Sequence, residues 1–547
     1  MPKITAIELE NFQTIGKRTL IPIEDITLMF GPNGAGKSAV FDALDLMKLI
    51  LSDDWGYESS VLEKNIYKSS RNSSTENPTN SLAIGIHFHI GENWSVGELS
   101  PYEGFSKLPH IAWASLDSDF GIDFLNKNFI FFIKFEKYDH QSSSWHITEL
   151  IIKNEDKSIL EVLTLEKDKW PIATLYQHDW LQLREDGYNF PTNTHLNFID
   201  GKISGLVSNQ LNFTCSPRSW FDHRGYRESH DREVLEVIQE VIDLFKILIS
   251  NELKDRSNIG IQDNKNYPLP IVKASRKVPA IRDVISIMPG GKRGDGYRLE
   301  WSSMLTLLKN IINKNEEHWI YLCEAIVSSA SSDKPDIAAS WEELGMLDRV
   351  NSLLRDDLFI DNGYQVTGEI FCLTPINDIE ESEISTASYY PKLVHLSLTD
   401  NHQQKLEIED VGSGIGYVLP VLASLVQDGI SLIQQPELHL HPALQSNLGD
   451  AVMRSVENKS HFSAFTLIET HSEHLLLRIM RLIKNSNQRK DMVLNPISYD
   501  RVAILYFDPL PNGETHVKRL RLAPDGQLVD RWPGGFFNER FKDIFDE

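Results

Sequence analysis

The sequence predicts an α/β fold assembled from the two ends of the chain. Two observations predict it. Near the N-terminus, Asp25-Ile26-Thr27-Leu28-Met29-Phe30 is an apolar run that stops at a glycine, and Ser38 to Leu51 then carries Val40, Leu44, Met47 and Leu51 at helical spacing, giving strand, loop and helix in direct succession. Near the C-terminus, a glycine-rich turn at Asp410 to Gly416 runs into an apolar helix expected over Val418 to Val426, and Phe465-Thr466-Leu467-Ile468 reads as a strand ending in a polar Thr-His-Ser turn.

The remaining elements follow in chain order. Ile4 to Leu9 alternates like a half-buried strand. Ser69 to Asn80 is polar and has the composition of a surface loop. Ser81 to Ile152 holds strand-like runs, notably Leu82 to Ile90 and Phe129 to Phe135. Between Glu233 and Leu253, Leu235, Val237, Ile238, Val241, Ile242, Leu244 and Phe245 form a helical stripe, and further helices are expected at Trp301 to Ile312, Glu317 to Ser328 and Trp341 to Leu354. Heptads never persist for several repeats, so no long coiled coil is expected. Lys392 to Leu398 and Lys405 to Glu409 read as a strand pair about the turn Thr399 to His402. This organisation divides the chain into a strand-rich N-terminal lobe (1–215), a mainly helical inserted region (216–384) and a C-terminal lobe (385–547).

With 547 residues and 41% hydrophobic content, the chain can bury a core larger than one domain usually holds. Its net charge of −24, from 54 Lys+Arg against 78 Asp+Glu, excludes the overall basic field of proteins that grip naked DNA by charge alone. Cys215, Cys323 and Cys372 are far apart and form no C-x-x-C pair, which supports neither a disulfide framework nor a zinc site. No apolar run reaches the roughly 18 to 20 residues of a membrane span, so a soluble, cytoplasmic protein without a membrane partner is expected.

Gly31-Pro32-Asn33-Gly34-Ala35-Gly36-Lys37-Ser38 fits G-x-x-x-x-G-K-[ST] between the predicted strand and helix. In such a loop the backbone amides of Asn33, Gly34, Ala35 and Gly36 curl around phosphates, Lys37 reaches the β- and γ-phosphates, and the Ser38 hydroxyl ligates Mg²⁺. The plain alternative is a glycine-rich turn that merely caps a helix.

Asp410-Val411-Gly412-Ser413-Gly414-Ile415-Gly416 would, alone, equally describe an ordinary capped helix. It stands, however, in series with Ile430-Ser431-Leu432-Ile433-Gln434-Gln435-Pro436-Glu437-Leu438-His439-Leu440-His441-Pro442 and with Phe465-Thr466-Leu467-Ile468-Glu469-Thr470-His471-Ser472-Glu473-His474. Together with Leu9-Glu10-Asn11-Phe12, these segments resemble the RecF/SMC/overcoming-lysogenization group of ABC-type ATPases. The resemblance covers roughly the first 50 and last 160 residues, ends on Arg531-Trp532-Pro533-Gly534-Gly535-Phe536-Phe537, and is carried in the middle only by Lys273-Ala274-Ser275-Arg276. It implies a P-loop head in which the three C-terminal segments act as signature, Walker B and switch histidine. ATP and Mg²⁺ are then the implied cofactors. Two heads face each other, with Lys37 and Ser38 acting in cis, Ser413 and Gly414 contacting the γ-phosphate in trans, and His471 sensing it. For His439, His441 and His474, packing or surface display is the preferred reading.

One departure bears on chemistry. The two acids that end a Walker B strand, one for the Mg²⁺ shell and one for the attacking water, are replaced by Gln434 and Gln435. An amide is no base, and losing a general base costs about 10²–10⁴-fold in rate, so binding is expected to outlast turnover. Glu437 and Glu469 are the carboxylates best placed to compensate, although either can be structural. Gln13 also stands where relatives often carry arginine.

About seventy residues follow His474 and hold no cluster of metal-binding acids, so no intrinsic nuclease is expected. Asp117-Ser118-Asp119, His223 and His230-Asp231 read as solvated loop. A head of this layout resembles the ATPase subunit of Septu-type antiphage defence, PtuA, including forms encoded beside retrons. That resemblance implies an HNH nuclease partner, PtuB, held and regulated by the ATPase, and contact with a retron reverse transcriptase and its DNA in the retron-encoded forms. The middle helices and the basic run Lys273 to Arg282 are candidate contact surfaces. Two other readings stand beside it: an ATPase acting directly on DNA, and a nearly inactive nucleotide-bound scaffold.

Overall fold

The computed structural model describes residues 2–51, 81–91, 126–137, 145–155, 157–163, 172–176 and 202–206, and four positions of one helix, 238, 241, 242 and 245. It further describes 252–253, 269–270, 276–278, 287–290, 345–372, 392–408, 410–427, 429–458, 465–488 and 497–533. Of the sequence expectations, Ser69 to Asn80, the helices at Trp301 to Ile312 and Glu317 to Ser328, Asp117-Ser118-Asp119, His223, His230-Asp231 and most of Lys273 to Arg282 lie outside the described residues.

The chain opens with β1 (Pro2–Glu10), β2 (Thr19–Pro22), β3 (Ile26–Phe30) and α1 (Ser38–Leu51). Next come β4 (Ser81–Ile90), β5 (Lys127–Lys137), β6 (Trp145–Asn154), β7 (Lys157–Leu163), β8 (Ile172–Tyr176) and β9 (Lys202–Leu206). Four short strands follow: β10 (Glu252–Leu253), β11 (Leu269–Pro270), β12 (Arg276–Val278) and β13 (Ile287–Gly290). Then α2 (Met346–Ser352) leads to β14 (Gln365–Cys372), β15 (Lys392–Thr399) and β16 (Lys405–Glu407). The chain continues through α3 (Ser413–Leu425), β17 (Ser431–Gln434), α4 (Pro442–Glu457), β18 (Thr466–Glu469) and α5 (Glu473–Gln488) to the hairpin β19 (Val502–Pro509) and β20 (Thr515–Leu520).

A six-stranded sheet of order β12-β17-β18-β3-β19-β20 occupies the centre, parallel except for β20. Its strands divide their side chains between two cores with a period of two. Met29, Leu432, Leu467, Leu505 and Phe507 face one core, which also holds α1 and an eight-stranded antiparallel sheet of order β2-β1-β4-β5-β6-β7-β8-β9. Leu28, Phe30, Ile433, Ile468, Ile504 and Tyr506 face the other, which holds α2 to α5. Burial on both faces explains why these strands appear in the sequence as unbroken apolar runs. The α/β class expected from the sequence is the one present.

The described positions of the expected stripe, Ile238, Val241, Ile242 and Phe245, are helical and buried. Phe245 meets Phe88 and Phe129 edge-on at 6.3 and 5.5 Å between centroids, contacts worth about 0.5–1.5 kcal/mol each. The region 216–384 also supplies strands: β12 pairs with β17 in the central sheet, and β14 pairs with β15 across the expected boundary at 384. Among the described residues, no helix is long and apolar enough to cross a membrane.

Two helix expectations need correction. The helix placed at Val418 begins at Ser413, so the glycine-rich run is its first turn and not a turn before it. Pro420 misleads here, because proline reads most naturally in a first turn, where its missing N–H costs nothing; it stands in mid-helix instead. Of the helix expected over Trp341 to Leu354, residues 341–344 lie outside the described ones; the described part is α-helical over Met346–Ser352 and continues as a π-helix over Leu353–Leu358.

Candidate nucleotide site

β3 is buried along its whole length and ends at Phe30, so the loop that follows emerges from the middle of the central sheet. The loop turns back through Gly36, whose φ of +84° lies in the left-handed region and whose Cα rests on Thr14; a Cβ there would collide with the Thr14 hydroxyl. Asn33 and Gly34 are exposed, Ala35 is buried, and Ser38 opens α1. The first turn of α1 has no acidic residue, so its positive end is not neutralised by its own side chains.

Lys37 is only 3% exposed. Its ammonium donates to the carbonyls of Gly31 at 2.9 Å and Pro32 at 3.0 Å and stands 3.7 Å from the Glu469 carboxylate. Burial pushes its pKa down, and the charges of Glu469 and Glu437 oppose that shift. Glu469 ends β18, in register between Met29 of β3 and Gln434 of β17. The Gln434 amide nitrogen donates to Glu469 at 3.4 Å, and the Gln435 backbone N–H donates to the Glu469 carbonyl at 2.7 Å. Gln435 takes a φ of +44° where the chain leaves β17.

Glu437 is held by the next turn. Its carboxylate accepts from the Thr470 hydroxyl at 2.8 Å and from the His471 backbone N–H at 2.7 Å. Ser472 caps α5 through the Leu475 N–H and donates to Gln445 at 2.7 Å. Burial, reinforced by the Lys37 charge, pushes the His471 pKa below the ordinary histidine value, which favours the neutral ring.

The expected site residues thus fall into two groups. Lys37, Gln434, Gln435, Glu437, Glu469 and His471 converge at the ends of β3, β17 and β18. Ser413 and Gly414 belong to a second group with the loop after β17: a Cβ on Gly414 would lie 2.8 Å from the His439 carbonyl, and the Tyr417 and His439 rings stand 4.5 Å apart. Ser413 is exposed. His441 is exposed and serves as the N-cap of α4, its ring nitrogen accepting from the Ala443 N–H at 3.3 Å. Thr470 joins the first group through Glu437, while Thr14 and Thr515 contact the P-loop at Gly36 and Ala35. Thr470 lies within the recognised Thr-His-Ser turn, whereas no local signal marks the other two.

These residues fit a polyanion with a hard cation. A buried ammonium and an unneutralised helix N-terminus suit phosphate, while a serine hydroxyl, a carboxylate and an amide oxygen are donors of the kind Mg²⁺ prefers. Among the described residues, no group of three or more His, Cys, Asp or Glu side chains could hold a metal unaided.

The family model "AAA ATPase domain" matches residues 2–277, a second, "AAA domain, putative AbiEii toxin, Type IV TA system", matches 331–478, and "Protein of unknown function (DUF3696)" matches 497–546. The Chromosome partition protein Smc of Synechocystis sp. is 36% identical over 99 residues, which span 17% of this chain and 8% of that protein. Similar solved structures include an SmcHead bound to the C-winged helix domain of ScpA, with 10% identity, TM-score 0.37 and coverage of 95% of this chain and 98% of that one. The SMC head domain from Thermotoga maritima has 8% identity, TM-score 0.35 and coverage of 95% and 100%.

Proposed function

Because the chain belongs to the AAA ATPase domain family, we propose that it is an ABC-type ATPase that binds ATP, hydrolyses it slowly, and holds and regulates a nuclease subunit in antiphage defence of the Septu type. The observation that carries the ATPase part is the convergence of Lys37, Ser38, Glu469 and His471 around the end of β3, with amides at 434 and 435 where acids belong.

In this reading the amides of Asn33, Gly34, Ala35 and Gly36 and the Lys37 ammonium bind the β- and γ-phosphates. Ser38, Glu469 and the Gln434 amide oxygen would hold Mg²⁺, which would supply neutralisation of the phosphate charge. Glu469, already beside the cation of the site, replaces the missing metal acid. Glu437 holds the turn that carries His471, and the neutral imidazole of His471 can donate a hydrogen bond to a γ-phosphate. Gln435 can orient a water but cannot take its proton, which is why turnover is slow. Ser413 and Gly414, in a group of their own, complete the site of a second copy facing the first.

The nuclease partner rests on the resemblance of the head's size and layout to the PtuA family. It is of the HNH class, PtuB-like, and retron reverse transcriptase and its DNA join it in retron-encoded forms. Calorimetric titration of ATP with Mg²⁺ into the full chain and its Lys37→Ala variant tests the first part. Equal affinities would remove the nucleotide reading altogether. Co-purification with the product of an adjacent nuclease frame, and toxicity only when both are expressed, test the second. A neighbourhood without such a frame removes the defence role and leaves the ATPase. The paired glutamines also favour a nearly inactive scaffold, for which ATP would co-purify with negligible phosphate release.

A further inference from the structure

We infer that Thr515, on the C-terminal hairpin, is a positioning residue that presets the phosphate-binding amides, and the inference rests on the nucleotide reading above. Thr515 starts β20 and is 6% exposed. Its N–H donates to the Thr14 carbonyl at 2.9 Å, and its hydroxyl donates to the Ala35 carbonyl at 2.9 Å. One residue therefore ties the turn after β1 to the P-loop. The same turn is tied to α1, since the Gln13 amide donates to Asp42 at 2.8 Å. At the other end of the loop, the Phe507 carbonyl of β19 backs Gly31, where a Cβ would come within 2.5 Å. The β19–β20 hairpin thus forms the rear wall of the loop at both ends, although it lies in the segment whose family description assigns no function.

The consequence follows from peptide geometry. In a trans peptide the C=O and the following N–H point in opposite directions. Holding the Ala35 carbonyl back against Thr515 turns the Gly36 N–H away from the hairpin, toward the side on which the loop opens. The Ala35–Gly36 peptide is free to flip on its glycine side, because Gly36 sits at a φ that L side chains avoid but glycine crosses freely. A hydroxyl on its carbonyl removes that freedom before any phosphate arrives, so less ordering remains to be done on binding.

Thr515→Val keeps shape and loses the donor. In the full chain it should weaken ATP–Mg²⁺ binding roughly tenfold, the effect of one buried hydrogen bond. KM for ATP should rise by the same factor, with kcat at saturation within about threefold of wild type. Thr515→Ser, which restores the hydroxyl, should bind within about twofold of wild type. Unchanged binding by Thr515→Val, or binding by Thr515→Ser as weak as by the valine variant, overturns the inference. If the valine chain melts below the titration temperature, Thr515→Ala is held to the same outcomes. Lys37→Ala separates the two levels: if wild type and Lys37→Ala bind alike, the nucleotide reading has failed; if only wild type binds, the Thr515 variants alone decide this inference.

Discussion

The Lys37 ammonium and the Glu469 carboxylate stand 3.7 Å apart, one at the end of the P-loop and the other at the end of the neighbouring strand β18. A carboxylate that neutralises the phosphate-binding lysine and also serves the metal must change partners when ATP–Mg²⁺ arrives. Glu469→Gln should therefore leave ATP binding without Mg²⁺ equal or tighter, and abolish the gain that Mg²⁺ adds in wild type. Phosphate release should fall by about 10²-fold or more. Titrations with and without Mg²⁺ check this, and a Mg²⁺ effect of undiminished size would rule out Glu469 as the metal acid.

Slow turnover is ascribed to Gln434 and Gln435, so restoring acids should reverse it. The chain with Gln434→Asp and Gln435→Glu is expected to release phosphate about 10²-fold faster than wild type. The new carboxylate at 434 would face Glu469, whose side chain the glutamine now contacts at 3.4 Å. Like charges at that distance repel, so the melting temperature of the double variant should drop without Mg²⁺ and recover with it. No gain in turnover would mean that the glutamines are not what limits the rate.

The legible parts of this site were local in sequence. The strand, loop and helix around Gly31 to Ser38 and the runs that form β17 and β18 can each be read from a window of a dozen residues. The rest depended on contacts between distant segments. Thr515 meets Ala35 across 480 positions, and nothing in Glu514-Thr515-His516 announces it. The start of α3 is not legible locally, because Gly414 and Gly416 resemble a turn and the His439 carbonyl that requires Gly414 lies in a distant segment. The π-helical end at Leu353–Leu358 has a different origin: Arg454 of α4 reaches Asp357 at 3.2 Å and Ser352 at 2.8 Å, and Asn447 donates to the Leu358 carbonyl, so partners in α4 hold a geometry the local pattern does not specify.

Two glycines of the loop should respond differently to alanine. Gly34 has a φ of +78° and open space within 4 Å of the point a methyl group would occupy, so Gly34→Ala carries only the left-handed penalty of about 1–2 kcal/mol. Gly36→Ala adds a collision with Thr14 to the same penalty, and should cost several kcal/mol or displace the loop. Melting curves should rank wild type, Gly34→Ala and Gly36→Ala in that order, with ATP binding lost in the last. Equal melting temperatures for the two variants would contradict the packing described.

The strand-rich sheet carries its own pH dependence. Burial alone would raise the Glu8 pKa, but hydrogen bonds from His87 at 3.1 Å and from Arg18, with their charges, hold it down at about 2 against an ordinary 4.5. A folded-state pKa below the unfolded one contributes stability that is present above about pH 4.5 and lost as pH falls toward 2. Since Arg18 is half exposed, solvent discounts the effect to on the order of 1–2 kcal/mol. Glu8→Gln should be less stable than wild type by that amount at pH 7, and the gap should close between pH 4.5 and 2. Denaturant melts across that range measure it; a gap that does not shrink with pH would assign the loss to packing.

Glu437 was expected as a possible stand-in for the missing base, and its geometry favours a different use. Both carboxylate oxygens already accept hydrogen bonds, from Thr470 and from the His471 N–H, so its charge is spent on fixing the turn that carries the His471 imidazole. A base must have a lone pair directed at water, whereas a pin must keep its acceptors where they are. Glu437→Gln retains one acceptor and puts an N–H against a donor, which should cost about 1–3 kcal/mol. If Glu437 is a pin, the variant melts lower and loses phosphate release in parallel with His471→Ala, and combining the two adds little further loss of rate. If it is the base, melting is unchanged, release falls by about 10²–10⁴-fold, and the double variant is slower than either single one. The contacts observed for Glu437 predict the first pattern.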